Sequence, residues 1–131
     1  MINLLIVDDD AINIFLIKQL LKKFTHAIQA VSYTDPVEAL SYIKGNVFAG
    51  ESIDLLLLDI NMPLLKGWDL LSELRINGKS VLTRTKVYML SSSLHKADQE
   101  LAQKYDEVSG FISKPLSHEL LSKIFGEVEK I

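Results

Sequence analysis

The chain has 131 residues, of which 48% are hydrophobic and 24% charged, with a net charge of −3 and no cysteine. This length suits one domain with its own core, and this composition excludes an intrinsically disordered protein. The slight negative charge and the lack of a long lysine or arginine run argue against a nucleic-acid surface, because such surfaces gain most of their affinity by neutralising phosphates.

The apolar stretches are far shorter than the roughly 18 residues that a membrane helix needs, and no cleavage signal follows the first of them. We therefore expect neither a membrane span nor a signal peptide. The lack of cysteine is consistent with a reducing compartment. Together these features predict a cytoplasmic protein that does not contact a membrane.

Short apolar runs alternate with longer amphipathic segments along the whole chain. The short runs predict strands and the amphipathic segments predict helices. In chain order these are strand 3–7, helix 11–24, strand 27–32, helix 36–44, strand 54–58, helix 68–75, strand 86–90, helix 96–104, strand 110–113 and helix 118–130. Five strand–helix repeats predict an α/β fold with a parallel sheet and helices on both faces, because parallel strands need crossover connections.

Local signals mark several ends of these helices. Asp10 is predicted to cap the first helix, and Asp35 followed by Pro36 is typical of a helix start. Gly45 predicts the end of the second helix, and Ser117 predicts the cap of the last one. Surface loops are predicted at 45–52 and 77–85.

The first predicted helix has two distinct sides. At about 100° per residue, the side expected to face the sheet carries Asn13, Leu16, Ile17, Leu20 and Phe24. Phe15 falls on the opposite side, and Ile14 falls at the edge of that solvent side. Because both residues follow the acidic end of the first strand closely, we expect Ile14 and Phe15 to form a docking point for a protein partner. An incidental surface position is the alternative for Phe15.

Acidic residues directly follow two of the predicted strands. Asp8 and Asp9 come after the run 4–7, and Asp59 comes after the run 55–58. Open α/β sheets bind their ligands at the carboxyl ends of the strands. If these two strands are neighbours, three carboxylates meet there, and they repel one another unless a cation lies among them. The residues therefore predict a metal site with phosphate-directed chemistry, whereas a simple helix-terminal acidic cluster is the alternative.

Several motifs occur in a fixed order, each near a predicted strand end: Asp8-Asp9, Asp59 with Met62-Pro63 and Gly67, Ser91, and Lys114-Pro115. In this order they resemble the receiver domain of two-component response regulators, and the resemblance covers the whole chain. It implies a flavodoxin-like (βα)5 doubly wound parallel sheet with strand order 2-1-3-4-5. It also implies one receiver domain over residues 1–131, and we expect no output domain.

The resemblance further implies how this site would work. Asp59 is implied to be the phosphoacceptor, forming an acyl phosphate by nucleophilic attack of its carboxylate. Asp8, Asp9 and Asp59, with the backbone carbonyl of Asn61, are implied to bind Mg²⁺, a hard cation that takes oxygen ligands.

Three further positions are implied to respond to the phosphoryl group. Lys114 contacts it as a second cation, and the Lys114–Pro115 peptide is commonly cis in this family. Ser91 donates its hydroxyl to a phosphoryl oxygen, while Phe111 rotates inward as the partner of Ser91 in the conformational switch.

The resemblance implies a phosphoacceptor protein in two-component signal transduction or a phosphorelay, with self-catalysed aspartyl phosphorylation and dephosphorylation, rather than an ordinary enzyme. Its partners would be a sensor histidine kinase or a histidine phosphotransfer protein, and an unknown downstream protein. Relay, effector binding and a phosphate-sink role all remain open. The alternatives are a phosphate-independent interaction module, a phosphohydrolase similar to the haloacid dehalogenase superfamily, and a flavin carrier of similar fold.

Overall fold

The computed structural model of the chain describes residues 1–129. In chain order the elements are β1 (Ile2–Val7), α1 (Ala11–Leu21), β2 (Ile28–Tyr33), α2 (Pro36–Phe48), β3 (Leu55–Asp59), α3 (Gly67–Glu73), β4 (Arg75–Ile76), β5 (Lys79–Ser80), β6 (Lys86–Ser91), α4 (Lys96–Ala102), β7 (Val108–Ser113) and α5 (His118–Glu129). The five predicted strand–helix repeats are therefore present. The last residue of the predicted final helix, Lys130, lies outside the described residues.

Five strands form one parallel sheet in the order β2-β1-β3-β6-β7, and β4 and β5 form a separate ribbon. Counted without that ribbon, the sheet has the predicted order 2-1-3-4-5, so the flavodoxin-like fold is confirmed. The central strand β3 pairs with β1 on one side and with β6 on the other, and all its residues are buried. A parallel strand covered on both faces needs a continuous apolar run, which residues 55–58 supply.

Two apolar cores lie against the two faces of this sheet. Leu55 and Leu57 contribute to the core formed with α1 and α5, whereas Leu56 and Leu58 contribute to the core formed with α2 and α3. This division follows from the alternation of side chains along a strand. Both faces are thus covered, and the polar strand ends are held on a packed scaffold.

The inward face of α1 differs from the predicted one. Ile14, expected at the edge of the solvent side, is only 7% exposed and packs in the core with Ile17. Leu16, expected to face the sheet, is 48% exposed, while Phe15 is 58% exposed as predicted. The prediction was wrong because apolar residues occupy nearly every position around this helix, so periodicity alone does not fix which side packs inward.

The prediction that Gly45 ends the second helix is also wrong, since α2 continues to Phe48. A Cβ atom at Gly45 would meet no other atom within 4 Å, so the glycine lies in an ordinary, uncrowded helical position. The left-handed backbone comes later, at Gly50, whose φ is +76°. Packing of α2 against the sheet through Ile43 outweighs the weak helix propensity of one glycine.

A short hairpin occupies part of the stretch that was predicted as a loop at 77–85. β4 and β5 pair in antiparallel fashion around Asn77 and Gly78, whose φ angles are 54° and 78°. An Asn-Gly pair in this conformation is a strong hairpin signal. The Asn-Gly pair was the available signal, but strands of two residues add no alternating pattern to it, and the hairpin was not predicted.

The predicted helix caps are confirmed. The Asp10 and Asp35 carboxylates each accept a hydrogen bond at 2.9 Å from the backbone two residues later, and Ser117 Oγ accepts one at 3.2 Å from Leu120. These bonds satisfy amides that the helix itself leaves unpaired. Asp10 therefore serves the start of α1, whereas its neighbours Asp8 and Asp9 point elsewhere.

Candidate functional site

Three carboxylates lie together at the carboxyl edge of the sheet. Asp8 follows β1 and Asp59 ends β3, and these two strands are paired neighbours. One oxygen of each carboxylate of Asp8, Asp9 and Asp59 lies within 4.8 Å of the others. Asp8 is fully buried and Asp59 is 4% exposed, while Asp9 is exposed. The structure therefore brings together the acidic residues that the sequence predicted to meet.

Lys114 supplies a positive charge to this acidic cluster. Its Nζ atom lies 2.9 Å from Asp8 Oδ2 and 3.3 Å from Asp59 Oδ1. Lys114 directly follows β7, and its backbone N–H donates to the Ser91 carbonyl at 2.9 Å. The Lys114–Pro115 peptide is cis, as the resemblance implied. One ammonium faces three carboxylates, which leaves net negative charge in the cluster.

The electrostatics of the cluster favour a further cation. Burial, the Asp8 charge and an Asp9 contact raise the pKa of Asp59 from 3.8 to about 7, against the opposing effect of Lys114. Burial lowers the pKa of Lys114, but its bond to Asp8 and the charges of Asp8 and Asp59 outweigh this and raise it. Burial and mutual repulsion disfavour the ionised form of these carboxylates, and a nearby cation stabilises that form. Oxygen donors of this kind suit a hard divalent ion.

Asn13 is a residue of this site that the sequence reasoning missed. Its side-chain amide, on α1, donates to Asp8 Oδ2 at 2.6 Å, and the Asp10 backbone donates to Asp8 Oδ1 at 2.9 Å. Both oxygens of the buried Asp8 carboxylate are thereby fixed. The available signal was an asparagine on the inward face of an apolar helix, since a buried amide needs a partner.

The loop after β3 is held tightly against the phosphoacceptor candidate. Asn61, which is exposed, donates its backbone N–H to Asp59 Oδ1 at 3.4 Å. Gly67 donates to the Ile60 carbonyl at 2.9 Å, and a Cβ at Gly67 would lie 2.5 Å from the Asp59 carbonyl oxygen. Only glycine fits at this start of α3 without moving the backbone of Asp59.

Ser91 and Phe111 occupy the predicted positions on the neighbouring strands. Ser91 ends β6 one residue after Leu90, which pairs with Asp59. The Ser91 hydroxyl donates to the Ser93 carbonyl at 2.7 Å and accepts from the Ser93 N–H at 3.1 Å. Phe111 is half-buried on β7, with its ring 6.1 Å from that of Trp68. In this arrangement the Ser91 hydroxyl is hydrogen-bonded within the loop that follows β6.

The predicted docking point on α1 differs from the surface that this helix exposes. Ile14 is buried, so the prediction that it contacts a partner is wrong. Phe15 remains a candidate, and the structure adds exposed Ile12 and Leu16, which are 71% and 48% exposed. Together Ile12, Phe15 and Leu16 form an exposed apolar patch on α1, close in sequence to Asp8 and Asp9.

Comparison with known proteins identifies the family. Residues 4–125 match the family described as "Response regulator receiver domain". The chain belongs to this family. Receiver domains are phosphoacceptors of two-component signalling rather than ordinary enzymes, so neither the phosphohydrolase nor the flavin-carrier alternative is favoured.

Relatives of this receiver domain occur within larger signalling proteins. The 3′,5′-cyclic-nucleotide phosphodiesterase regA of Dictyostelium discoideum is 33% identical to this chain over 93% of the chain's length. The match spans 14% of the length of that protein. Hybrid signal transduction histidine kinase L of the same organism is 30% identical over 96% of this chain, which spans 7% of that protein. The chain thus covers a small part of the length of both relatives.

A solved structure supports the same assignment. The crystal structure of a two-component response regulator from Cytophaga hutchinsonii is 30% identical and superposes with a TM-score of 0.86, covering 98% of this receiver domain and 97% of that chain.

Among the helices described within residues 1–129, none is long and apolar enough to cross a membrane.

Proposed function

We propose that this receiver domain accepts a phosphoryl group on Asp59 from a sensor histidine kinase or a histidine phosphotransfer protein. The phosphorylated domain then changes its binding to a downstream protein or passes the group on. The observation that carries the proposal is the buried Asp59 carboxylate, 3.3 Å from Lys114 and beside two further carboxylates. The similarity to a hybrid histidine kinase supports the donor class.

We propose that Mg²⁺ binds in the acidic cluster. The carboxylates of Asp8, Asp9 and Asp59 would hold it together with the backbone carbonyl of Asn61. When bound, the ion would offset the repulsion among the carboxylates and neutralise charge on the phosphoryl oxygens.

In the proposed reaction, an Asp59 carboxylate oxygen forms a bond to phosphorus while the phosphorus–nitrogen bond of the donor phosphohistidine breaks. The donor imidazole keeps the electron pair of that bond and takes up a proton. Lys114, already within 3.3 Å of Asp59, holds a positive charge where the transferred oxygens arrive. Ser91 can donate to one of those oxygens once its hydroxyl leaves the Ser93 carbonyl.

We further propose a cytoplasmic site of action, because a reducing compartment suits a chain without cysteine. Phe15 is proposed to contact the phosphate donor, since it lies exposed on the helix that begins beside Asp8 and Asp9. A patch of one aromatic and two aliphatic side chains can supply the apolar part of a transient interface.

Intact-protein mass spectrometry after incubation with acetyl phosphate tests the proposal. We expect a Mg²⁺-dependent gain of one phosphoryl group in the wild type and none in Asp59→Asn. Asp10→Asn is the matched control, because asparagine still caps α1 and the residue lies outside the cluster. A wild type that gains no phosphoryl group would instead favour the phosphate-independent interaction module.

A further inference from the structure

Trp68 joins the loop beside Asp59 to the start of α4. Trp68 follows Gly67, whose N–H donates to the Ile60 carbonyl at 2.9 Å, so its position depends on the backbone next to Asp59. Its indole Nε1 donates to Asp98 Oδ1 at 3.0 Å, across 30 residues of sequence. Both residues are buried, at 6% and 8% exposure. We call this hydrogen bond the Trp68–Asp98 contact.

The same Asp98 carboxylate also organises the first turn of α4. Its Oδ2 atom accepts the backbone N–H of His95 at 3.2 Å, while the Asp98 N–H donates to the His95 carbonyl at 3.0 Å. One oxygen of Asp98 therefore caps α4, and the other accepts the indole of Trp68. Because the carboxylate is buried, losing either donor leaves an oxygen without its partner, which is costly.

The hydrogen bond between Ser91 and Ser93 must change if Ser91 is to contact a phosphoryl group on Asp59. The Ser91 hydroxyl now donates to the Ser93 carbonyl at 2.7 Å, and that bond must break before the hydroxyl can turn. Ser93 precedes His95, the N-cap of α4, by two residues. Any displacement of Ser93 that accompanies this change would reach a helix start that the Trp68–Asp98 contact holds in place.

We propose that the Trp68–Asp98 contact stabilises the unphosphorylated arrangement of α4 and thereby opposes phosphorylation of Asp59. This inference rests on the proposed function, because it assigns a regulatory role within the same site. The Trp68 ring also packs 5.4 Å from Tyr105 and 6.1 Å from Phe111, so its position is defined by packing as well as by the hydrogen bond. A contact made in one state alone shifts the equilibrium between the two states.

The test measures the binding of beryllofluoride, a phosphoryl mimic, to the Mg²⁺-loaded protein by isothermal titration calorimetry. Trp68→Phe keeps a buried aromatic ring but removes the donor. We expect it to bind beryllofluoride about 3- to 10-fold more tightly than the wild type, the range that the loss of one hydrogen bond predicts.

Asp98→Asn provides a second variant with little change of shape. Trp68 and His95 donate to different oxygens of Asp98, and a carboxamide keeps an oxygen at only one of these two positions and places an NH2 group at the other. We expect a smaller gain in affinity, and the double variant should bind beryllofluoride no more tightly than Trp68→Phe alone. Because Trp68 is the chain's only tryptophan, its emission should change on beryllofluoride binding in the wild type and change less in Asp98→Asn.

Tyr88→Phe is the matched control for a purely structural effect. The Tyr88 hydroxyl donates to Glu127 Oε2 at 2.8 Å, which is also a bond from a buried aromatic residue to a carboxylate, but it lies on the core with α5. We expect Tyr88→Phe to lower stability and leave beryllofluoride affinity within about twofold of the wild type.

Two results separate this inference from the proposed function. If the wild type binds beryllofluoride and Trp68→Phe binds it equally or more weakly, the regulatory role of the contact is overturned while the receiver chemistry stands. If the wild type binds no beryllofluoride and gains no phosphoryl group, both proposals are overturned.

Discussion

Asp59 is the proposed phosphoacceptor, and its raised pKa lowers the stability of the metal-free protein near neutral pH. Burial and the neighbouring carboxylates raise its pKa to about 7, so the metal-free native state holds a proton that the unfolded chain releases near its ordinary pKa of 3.8. Between these values the native state binds more protons than the unfolded state. The free energy of unfolding therefore falls as the pH rises from about 4 to 7.

Asp59→Asn removes this titration and should stabilise the metal-free protein. We expect a gain of about 1–3 kcal/mol at pH 8 and little difference at pH 4.5, measured by urea unfolding with EDTA present. Added Mg²⁺ should stabilise the wild type and narrow the gap, because it binds the native carboxylates. Asp10→Asn, the matched control, should show no such pH-dependent gain. An equal effect of Asp59→Asn at both pH values would contradict this explanation.

At the scale of single residues, contacts between positions far apart in sequence were the hardest to predict. Asp8 and Asp59 could be placed at one edge because each follows an apolar run that predicts a parallel strand, whereas Ser91 and Lys114 were implied by the family resemblance. The Trp68–Asp98 contact gave no such signal, since its partners lie 30 residues apart on two different helices.

Among the elements, the start of α3 controls the geometry of the site most directly. Gly67 is required because a Cβ there would lie 2.5 Å from the Asp59 carbonyl oxygen and 3.1 Å from Ile60 Cα. Gly67→Ala should lower the free energy of unfolding by about 1–3 kcal/mol and slow phosphorylation by acetyl phosphate, because the backbone of Asp59 must shift.

Gly45→Ala is the matched control for the loss of a glycine. A Cβ at Gly45 meets nothing within 4 Å, and the residue lies inside α2. We expect alanine to stabilise the protein by about 0.5–1 kcal/mol and to leave phosphorylation unchanged. Urea unfolding and the rate of mass gain would check both variants. Equal stability changes at the two positions would refute the crowding argument.

The boundaries of elements were harder to predict than their existence. The face of α1 and the end of α2 depend on which side chains the sheet covers, and local sequence does not contain that information. The caps at Asp10, Asp35 and Ser117 were predictable, because a side chain that bonds the backbone a few residues ahead is a local property.

At the scale of the whole molecule, the fold accounts for the placement of the site. The central strands are covered on both faces by two cores, which leaves charged residues room only at the strand ends. The order β2-β1-β3-β6-β7 places β1 and β3 side by side, so Asp8 and Asp59 meet. Alternating strands and helices predicted a parallel sheet with helices on both faces, whereas the family resemblance implied the order of its strands.

Identifying the residue that carries the phosphoryl group tests the proposed receiver chemistry most directly. The protein would be phosphorylated with acetyl phosphate and Mg²⁺, reduced with borohydride to convert an acyl phosphate to homoserine, and mapped by peptide mass spectrometry. The proposal that Asp59 is the phosphoacceptor predicts homoserine at position 59 and at no other aspartate. Homoserine at Asp8 or Asp9, or a phosphoryl group that resists borohydride, would contradict it.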